Sequence, residues 1–306
     1  MEPVKGGITM AKEYRYYKNS EGKIVRLYIE DDTCPTNPRT DYDGNIGKMM
    51  CWHRCYNLGD YEENNYSDPD QFLSNLLREN VSEKSIINFV RNGKASNGTK
   101  LIYNRSSKMW ELWTWYYVTF QSPKEAKLQI YEENEDITWL IDDIIDCLPD
   151  KDKWYLLEKH ANIIFLPLYL YDHSGITMSC SSFNDRWDSG QVGWIYTDRD
   201  TVLRTGGEIK KNGKYIKLTK RNWKEAVYEW MEGEVKEYDM YLQNEVYGII
   251  TEEYNGEGNP EDDDSWTDEE SCWGFYSDKW GDDLIEEIAN EYGISEQLFE
   301  KFENVA

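Results

Sequence analysis

Alternation of apolar and polar side chains near the start of the chain predicts a β-hairpin. Its strands are Glu13–Lys18 and Lys23–Glu30, and Ser20-Glu21-Gly22 supplies the turn. Period-two alternation places successive side chains on opposite faces of a strand. In the second strand one face carries Ile24, Arg26 and Tyr28, and the other carries Val25, Leu27 and Ile29.

Apolar residues spaced three and four positions apart predict helices. The longest covers about Arg221–Asn244, where one stripe contains Trp223, Ala226, Val227, Trp230, Met231, Val235, Tyr238, Tyr241 and Leu242. Shorter helices are predicted at Asp70–Glu79, Ser82–Arg91, Asp136–Leu148, Lys153–Lys159, Asp282–Tyr292 and Ser295–Phe302.

Runs rich in β-branched and aromatic residues predict further strands. These are Met109–Phe120, Ile163–Tyr171, Val192–Tyr196, Tyr247–Tyr254 and Cys272–Tyr276. The sequence therefore predicts an α+β fold with a mostly antiparallel sheet and several amphipathic helices. We expect three regions: an N-terminal hairpin or arm over residues 1–30, a helical and loop-rich region over 31–160, and a sheet-plus-helix core over 161–306.

The segment Asp31–Pro69 shows little periodicity and is rich in Asp, Asn, Gly, Pro and Tyr. Loops this long are uncommon in compact domains and are usually functional. We predict that Asp31–Asp60 is ordered, because Trp52, Tyr56 and Leu58 can place apolar groups beneath it.

Charge narrows the classes of partner. With 59 acidic and 34 basic residues the net charge is −25, which disfavours direct binding to nucleic acid or to an anionic membrane. It favours a basic protein partner or imitation of a nucleic acid, with simple solubility as the plain alternative. The chain also contains 45 aromatic residues, so we expect some of them to contact a partner or a second copy in a homo-oligomer.

One segment concentrates the acidity. Glu252–Glu270 contains ten acidic residues and neither Lys nor Arg. Such runs are usually solvated loops, and the functional alternative is an acidic finger offered to a basic groove. The candidate partner-binding residues are Asp262, Asp263, Asp264, Trp266, Glu269, Tyr238 and Tyr241. Because the aromatic excess is the rarer feature, we expect aromatic contacts to hold the partner while acidity steers the encounter.

Cysteine and histidine provide the alternative chemistry. Cys51, His53 and Cys55 have metal-like softness but lack the spacing of a structural zinc site, and no second pair accompanies them. A thiol hydrolase would use Cys51 or Cys55 as nucleophile, His173 as base and Asp172 or Asp188 to orient it. The turns that contain His173 and Asp188 equally suit ordinary strand connections. We expect no catalytic residues, no metal, no cofactor and no disulfide, with thiols kept reduced in a cytoplasm.

Several motifs together resemble acidic proteins encoded by phages and mobile elements. They are Asn37-Pro38-Arg39, Asp43–Gly47, Met49–His53, Tyr56–Asp60, Tyr171–Ile176, Trp187–Gly193 and Ser271–Tyr276, and the resemblance spans roughly residues 31–290. Among such proteins the chain is similar to the phage Gabija anti-defense proteins. That resemblance implies an oligomeric inhibitor in the host cell cytoplasm, which surrounds a defense nuclease–helicase complex and blocks its access to DNA.

Overall fold

The computed structural model describes residues 13–61, 64–119, 122–131, 140–211, 213–291 and 297–305. Its strands are β1 (Arg15–Lys18), β2 (Ile24–Asp31), β3 (Lys48–Cys51), β4 (Lys100–Asn104), β5 (Met109–Thr119), β6 (Ser122–Tyr131), β7 (Ile163–Asp172), β8 (Ile176–Ser179), β9 (Ser189–Asp198), β10 (Glu208–Lys211), β11 (Lys214–Lys217), β12 (Val246–Tyr254) and β13 (Trp266–Tyr276). Its α-helices are α1 (Pro69–Asn80), α2 (Glu83–Arg91), α3 (Ile141–Asp146), α4 (Asp150–Leu156), α5 (Arg199–Thr205), α6 (Lys224–Gln243) and α7 (Asp282–Glu291).

These elements confirm the α+β class and its mostly antiparallel sheets. One four-stranded sheet has the order β1-β2-β12-β13, and a second has the order β3-β9-β7-β8. A three-stranded sheet, β4-β5-β6, and the hairpin β10-β11 complete the described sheets. Within the first sheet β12 pairs antiparallel with both β2 and β13.

The chain divides into two compact units. Unit 1 contains residues 1–42, 171–178 and 235–306, and unit 2 contains residues 43–170 and 179–234. The expected boundaries at residues 30 and 160 do not coincide with this division. The physical reason lies in the first sheet, because β2 forms a full ladder with β12 and the N-terminal hairpin is therefore an integral part of unit 1 rather than an arm.

Apolar side chains explain each unit's core. In unit 1, Leu27 and Ile249 of the sheet pack with Leu284, Ile285 and Ile288 of α7. In unit 2 a larger cluster gathers α1 to α4 with parts of β3, β4, β5, β7 and β9. Helix α1 begins where the Asp68 side chain accepts the Gln71 N–H and Pro69 fills the first turn, a combination that satisfies free N–H groups at a helix start.

The structure corrects several element predictions. The aperiodic segment Asp31–Pro69 contains strand β3, which pairs with β9. The predicted helix Ser295–Phe302 begins outside the described residues, and in its described part Phe299 forms a β-bridge with Tyr16. The predicted helix Asp136–Leu148 shortens to α3, with residues 136–139 outside the description. No periodic signal indicated β4, β6, β8, α5 or the β10-β11 hairpin, and all of these except β6 are seven residues or shorter.

No helix in the part of the chain that the structure describes has the length and apolar character needed to cross a membrane.

Candidate functional site

The acidic segment Glu252–Glu270 forms a hairpin, here called the acidic hairpin. The end of β12 pairs with the start of β13, with Glu253 opposite Thr267 and Tyr254 opposite Trp266. A register shift between Thr251 and Glu252 interrupts the regular strand pairing at its base. The connecting loop, residues 255–265, therefore projects from the end of a four-stranded sheet.

Internal hydrogen bonds fix the loop. The Asn255 N–H donates to the Ser265 carbonyl (3.0 Å), and Asn255 Nδ2 donates to the Asp264 carbonyl (3.1 Å). Ser265 Oγ donates to the Asn259 carbonyl (2.8 Å). Gly258 has φ +86°, and a Cβ there would lie 2.7 Å from Ser265 Oγ. Loop backbone that is satisfied internally has a defined conformation, unlike a solvated acidic run.

Arg26 of β2 ties the hairpin to the sheet. Its guanidinium donates to Glu252 and, at 2.9 Å, to Asp263. The same group lies 4.7 Å from the ring centres of both Tyr14 and Trp266. Burial alone would lower the pKa of Arg26, but the hydrogen bonds to the two carboxylates outweigh it and hold that pKa above its ordinary value. A buried cation thus fixes both the base and the tip of the acidic hairpin.

Four loop carboxylates remain unneutralised. The strand residues Glu252 and Glu253 pair with Arg26 and Lys23 respectively. The exposed loop residues are Glu257, Glu261, Asp262 and Asp264, and none of them forms an ion pair within the described part of the chain. The hairpin therefore presents a group of negative charges on a fixed backbone.

Trp266 is a core residue, which corrects its expected role as a partner contact. Only 6% of its surface is exposed, and its ring packs against Tyr16, Tyr254 and Phe302 at centroid distances of 5.3–6.0 Å. Its Nε1 donates to the Pro260 carbonyl at 2.9 Å. A large aromatic at the foot of a loop anchors that loop instead of meeting a partner.

The remaining predicted contact residues separate. Tyr238 is 2% exposed and stacks on Tyr241 within unit 1, so it too is a core residue. Tyr241 is half-buried on the same helix, α6. Glu269 lies in β13, and its side chain falls outside the described residues. Asp262, Asp263 and Asp264 therefore remain together at the hairpin tip, and the predicted tyrosines do not accompany them as exposed groups.

A cleft of about 540 Å³ opens beside the hairpin, entirely within unit 1. We call it the aromatic–acidic cleft. Its lining combines aromatic rings with carboxylates: Tyr14, Tyr16, Arg26, Asn259, Pro260, Glu261, Asp263, Glu300, Lys301, Phe302 and Glu303. The β-bridge between Tyr16 and Phe299, with hydrogen bonds of 2.9 and 2.8 Å, holds its C-terminal wall against β1.

Arg26 was not among the site residues predicted from the sequence. The only local signal is a charged side chain flanked by Val25 and Leu27 in a strand whose residues 25–29 are all buried. Buried arginines require charged partners. Those partners lie more than 220 positions away in the chain, so no local pattern could identify them.

The loops considered for hydrolase or metal chemistry have other roles in the structure. Cys51 is 8% exposed at the end of β3, where it pairs with Gly193. The His53 ring stacks on Tyr56 at 4.9 Å, and its Nδ1 accepts the Cys55 N–H at 3.3 Å. A shallow cleft of about 440 Å³ adjoins these residues.

His173 and Asp188 occupy turns. The His173 N–H donates to the Gly175 carbonyl at 3.0 Å, closing the turn that follows Asp172 at the end of β7. The Asp188 N–H donates to Asp185 Oδ1 at 3.0 Å. Cys51 and Asp188 belong to unit 2 and His173 belongs to unit 1. Across the described ranges, no cluster of three or more His, Cys, Asp or Glu side chains is arranged to hold a metal ion.

Two half-buried thiols outside the candidate hydrolase loops have raised pKa values. All six cysteines are free thiols. Burial, reinforced by nearby acidic side chains, raises the pKa of both Cys147 and Cys180 to about 11. A thiol with a raised pKa is protonated near neutrality and reacts slowly.

Exposed aromatics do occur, at positions other than the predicted ones. Trp187 is 94% exposed on the turn before β9. The others that exceed one-third exposure are Tyr42, Tyr56, Tyr61, Tyr155, Tyr215, Tyr228, Trp273, Trp280 and Phe299. Their number is consistent with an interaction surface, because exposed Trp and Tyr are typical anchors of protein interfaces.

Comparison of the chain with protein-family models, with curated proteins and with solved structures finds no match.

Proposed function

We propose that this protein is a binding protein that inhibits a nucleic-acid-handling defense complex by occupying it. The target class comes from the sequence resemblance, which points to a Gabija-type nuclease–helicase complex. The observation that supports the proposal most is the order of the acidic hairpin, whose exposed carboxylates stand on a loop tied down by Arg26 and Trp266.

Order matters because binding through a flexible loop loses conformational entropy. A preorganised acidic loop avoids most of that loss when it meets a basic groove. Complementary charge also accelerates the encounter. The proposed mode is therefore insertion of the acidic hairpin into the positively charged path that DNA would take across the target.

The sequence suggests two modes of inhibition: aromatic contacts that hold the partner, or acidic residues that imitate a nucleic acid. Burial of Trp266 and Tyr238 favours the second mode. Neither ring can hold a partner from a buried position. Aromatic anchoring would depend on other residues, of which Trp187 is the most exposed. Contact through the hairpin itself is therefore electrostatic, and it should weaken as salt rises.

Binding of a purified Gabija-type nuclease–helicase complex tests the proposal. The hairpin variant combines Glu257→Gln, Asp262→Asn and Asp264→Asn, and the matched control combines Glu79→Gln, Glu229→Gln and Glu286→Gln, which removes three exposed carboxylates elsewhere. We expect the hairpin variant to bind about tenfold more weakly or worse, and the control to change by less than about twofold.

Salt provides the second arm of that experiment. Between about 0.1 and 0.5 M salt, affinity of the unaltered protein should fall steeply, and the hairpin variant should show a shallower fall. Equal loss in the hairpin variant and the control would show that only total charge matters. No binding at any salt concentration would defeat the proposal outright.

The hydrolase alternative gains no support from the described residues. Cys51 is buried with its backbone in the β3–β9 ladder. The backbone N–H of His173, the expected base, closes a turn by donating to the Gly175 carbonyl. We therefore retain the binding role.

The proposal includes self-association, as expected from the aromatic content. Ten large aromatic side chains exceed one-third exposure among the described residues. Light scattering at micromolar concentration should report a mass above that of one chain, and a strict monomer would remove this part of the proposal.

A further inference from the structure

The setting of Arg26 shows how unit 1 binds a guanidinium group. The group lies over the rings of both Tyr14 and Trp266, 4.7 Å from each ring centre, and two carboxylates accept its hydrogen bonds. Aromatic faces attract a cation through their quadrupole, and carboxylates match the donor fork of arginine.

The aromatic–acidic cleft adjoins this setting and adds further groups of the same chemical kinds, because Arg26, Tyr14 and Asp263 line it together with Tyr16, Phe302 and other carboxylates. Its rings are Tyr14, Tyr16 and Phe302, and Phe302 is held edge-on to Tyr16 at 6.0 Å. The hydroxyls of Tyr14 and Tyr16 make no hydrogen bond among the described residues. Two residues of the lining therefore carry a hydroxyl that can accept or donate a hydrogen bond.

The carboxylates of the cleft are available. Glu261, Glu300 and Glu303 are exposed, and they form no ion pair within the described ranges. Asp263 is already engaged by Arg26. Lys301 and Arg26 are the cations of the lining, and Glu261, Asp263, Glu300 and Glu303 are its carboxylates. Four carboxylates against two cations leave the cleft negative.

We infer that the aromatic–acidic cleft binds the guanidinium group of an arginine side chain supplied by a basic protein partner. The identity of that partner rests on the proposed function. A planar guanidinium can stack on Tyr16 or Phe302 while donating to carboxylates at the rim. An ammonium group is strongly hydrated and cannot stack, so arginine should be preferred over lysine.

A peptide experiment on the intact chain tests the inference. The probes are capped tetrapeptides containing two arginines, two lysines or two citrullines between glycines. The readout is the NMR signal of the Trp266 indole N–H, which donates to the carbonyl of Pro260 in the cleft wall. The variant Trp266→Phe, which lacks that signal, assigns it.

Variants separate the cleft from general acidity. The cleft variant combines Glu300→Gln and Glu303→Gln, whose side chains form no hydrogen bond or ion pair among the described residues. The control combines Glu79→Gln and Glu286→Gln. We expect the arginine peptide to shift the Trp266 signal and to bind at least about fivefold more tightly than the lysine peptide, and the citrulline peptide to leave the signal unchanged. The cleft variant should weaken arginine binding by about fivefold, and the control should not.

Other outcomes overturn the inference. Equal affinity for the arginine and lysine peptides would contradict the assignment of the cleft to a guanidinium group. This holds even if only the cleft variant bound the peptides more weakly. If the cleft variant and the control lost affinity for the arginine peptide equally, net charge alone would explain the binding. An unshifted Trp266 signal would place any binding elsewhere.

This test can fail independently of the proposed function. The hairpin residues changed in the partner-binding experiment, Glu257, Asp262 and Asp264, do not line the cleft. Loss of peptide binding would leave the acidic hairpin as the inhibitory element. Peptide binding without partner binding would keep the cleft and defeat the proposed function.

Discussion

Two hairpins of this protein carry opposite charge and differ in how they are supported. The acidic hairpin extends from a four-stranded sheet and rests on buried Trp266. The β10–β11 hairpin forms a two-stranded sheet that contains four lysines and one glutamate. Every residue of β11 is exposed, including Tyr215 at 68%, and Ile209 of β10 is 9% exposed.

The two hairpins differ in how firmly the backbone that carries their charged side chains is held in position. A two-stranded hairpin alone is marginally stable in water, so the lysines of β10–β11 depend on whatever anchorage Ile209 provides. The acidic hairpin has a buried aromatic, a buried guanidinium and a bonded loop. Its charges should therefore keep their positions when the same perturbation would rearrange β10–β11.

Truncating the aromatic anchor should have the largest effect. Trp266→Ala removes the ring that packs on Tyr16, Tyr254 and Phe302. We expect a loss of about 3–5 kcal/mol in the free energy of unfolding, measured by urea titration. The matched change Tyr215→Ala in the basic hairpin should stay within about 0.5 kcal/mol. Similar losses in both variants would abolish the contrast between the hairpins.

Removing the buried guanidinium should rank next. Arg26→Met keeps the length of the side chain but leaves Glu252 without its cation, while Asp263 can turn to solvent. We expect about 2–4 kcal/mol of destabilisation. Lys217→Met in β11 is the control, and it should change stability little. A neutral result for Arg26→Met would mean that the hairpin is held by packing alone.

Alkaline pH tests the stability of the sheet that supports the acidic hairpin. Tyr247 lies in β12 of that sheet, and its ring centre is 5.1 Å from that of Trp280. Burial, with help from Glu245 and Asp31, raises the pKa of Tyr247 from 10.0 to about 12. Below pH 10 both folded and unfolded states are protonated. Between about pH 10 and 12 the unfolded chain loses this proton first, so the unfolding free energy should fall as pH rises, by an amount on the order of 2 kcal/mol.

The substitution Tyr247→Phe isolates that contribution. The difference in unfolding free energy between the unaltered protein and this variant should be constant below pH 10 and should shift in favour of the variant up to about pH 12. A difference that does not depend on pH would contradict the raised pKa of Tyr247.

Two glycines give the smallest and most closely matched test. Gly258 and Gly213 both have positive φ, at +86° and +76°. Alanine at Gly213 meets no atom within 4 Å, whereas alanine at Gly258 approaches Ser265 Oγ and should displace its bond to Asn259. We expect about 1 kcal/mol of destabilisation for Gly213→Ala and up to about 2 kcal/mol for Gly258→Ala. Faster proteolysis in the loop of Gly258→Ala would accompany the larger value.

Local sequence pattern was sufficient for much of the fold. The helix α6 follows from the helical spacing of its apolar residues and β2 from its alternating pattern, whereas β7 and β12 follow from runs of β-branched and aromatic residues. Strand β3 escaped prediction, since a run as short as Lys48–Cys51 within a Gly- and Asp-rich segment gives no periodic signal. The hairpin β10–β11 was not predicted for another reason: all four residues of β11 are exposed, and Ile209 is a single buried residue among the side chains described in the short strand β10, so the sequence shows no apolar alternation there.

The site was predicted only in part. Charge density along the chain identifies the tip at Asp262–Asp264 without any structure. It cannot tell whether Trp266 or Tyr238 points inward, because an aromatic next to charged residues suits a core anchor and a surface contact equally well. The cleft joins Tyr14 and Phe302 from opposite ends of the sequence, and such proximity depends on sheet order, which local pattern does not determine.

The long separation between Arg26 and its carboxylates has a consequence for synthesis. Arg26 and Glu252 are 226 positions apart, so at a typical translation rate Arg26 emerges roughly 10 to 50 s before its partner. During that interval the β1–β2 hairpin lacks β12 and exposes an unpaired strand edge. Unit 2, whose last residue precedes β12, has that time to form its own core. The acidic hairpin and its cleft would then assemble last, when β12 and β13 close the first sheet and the segment around Phe302 docks on Tyr16.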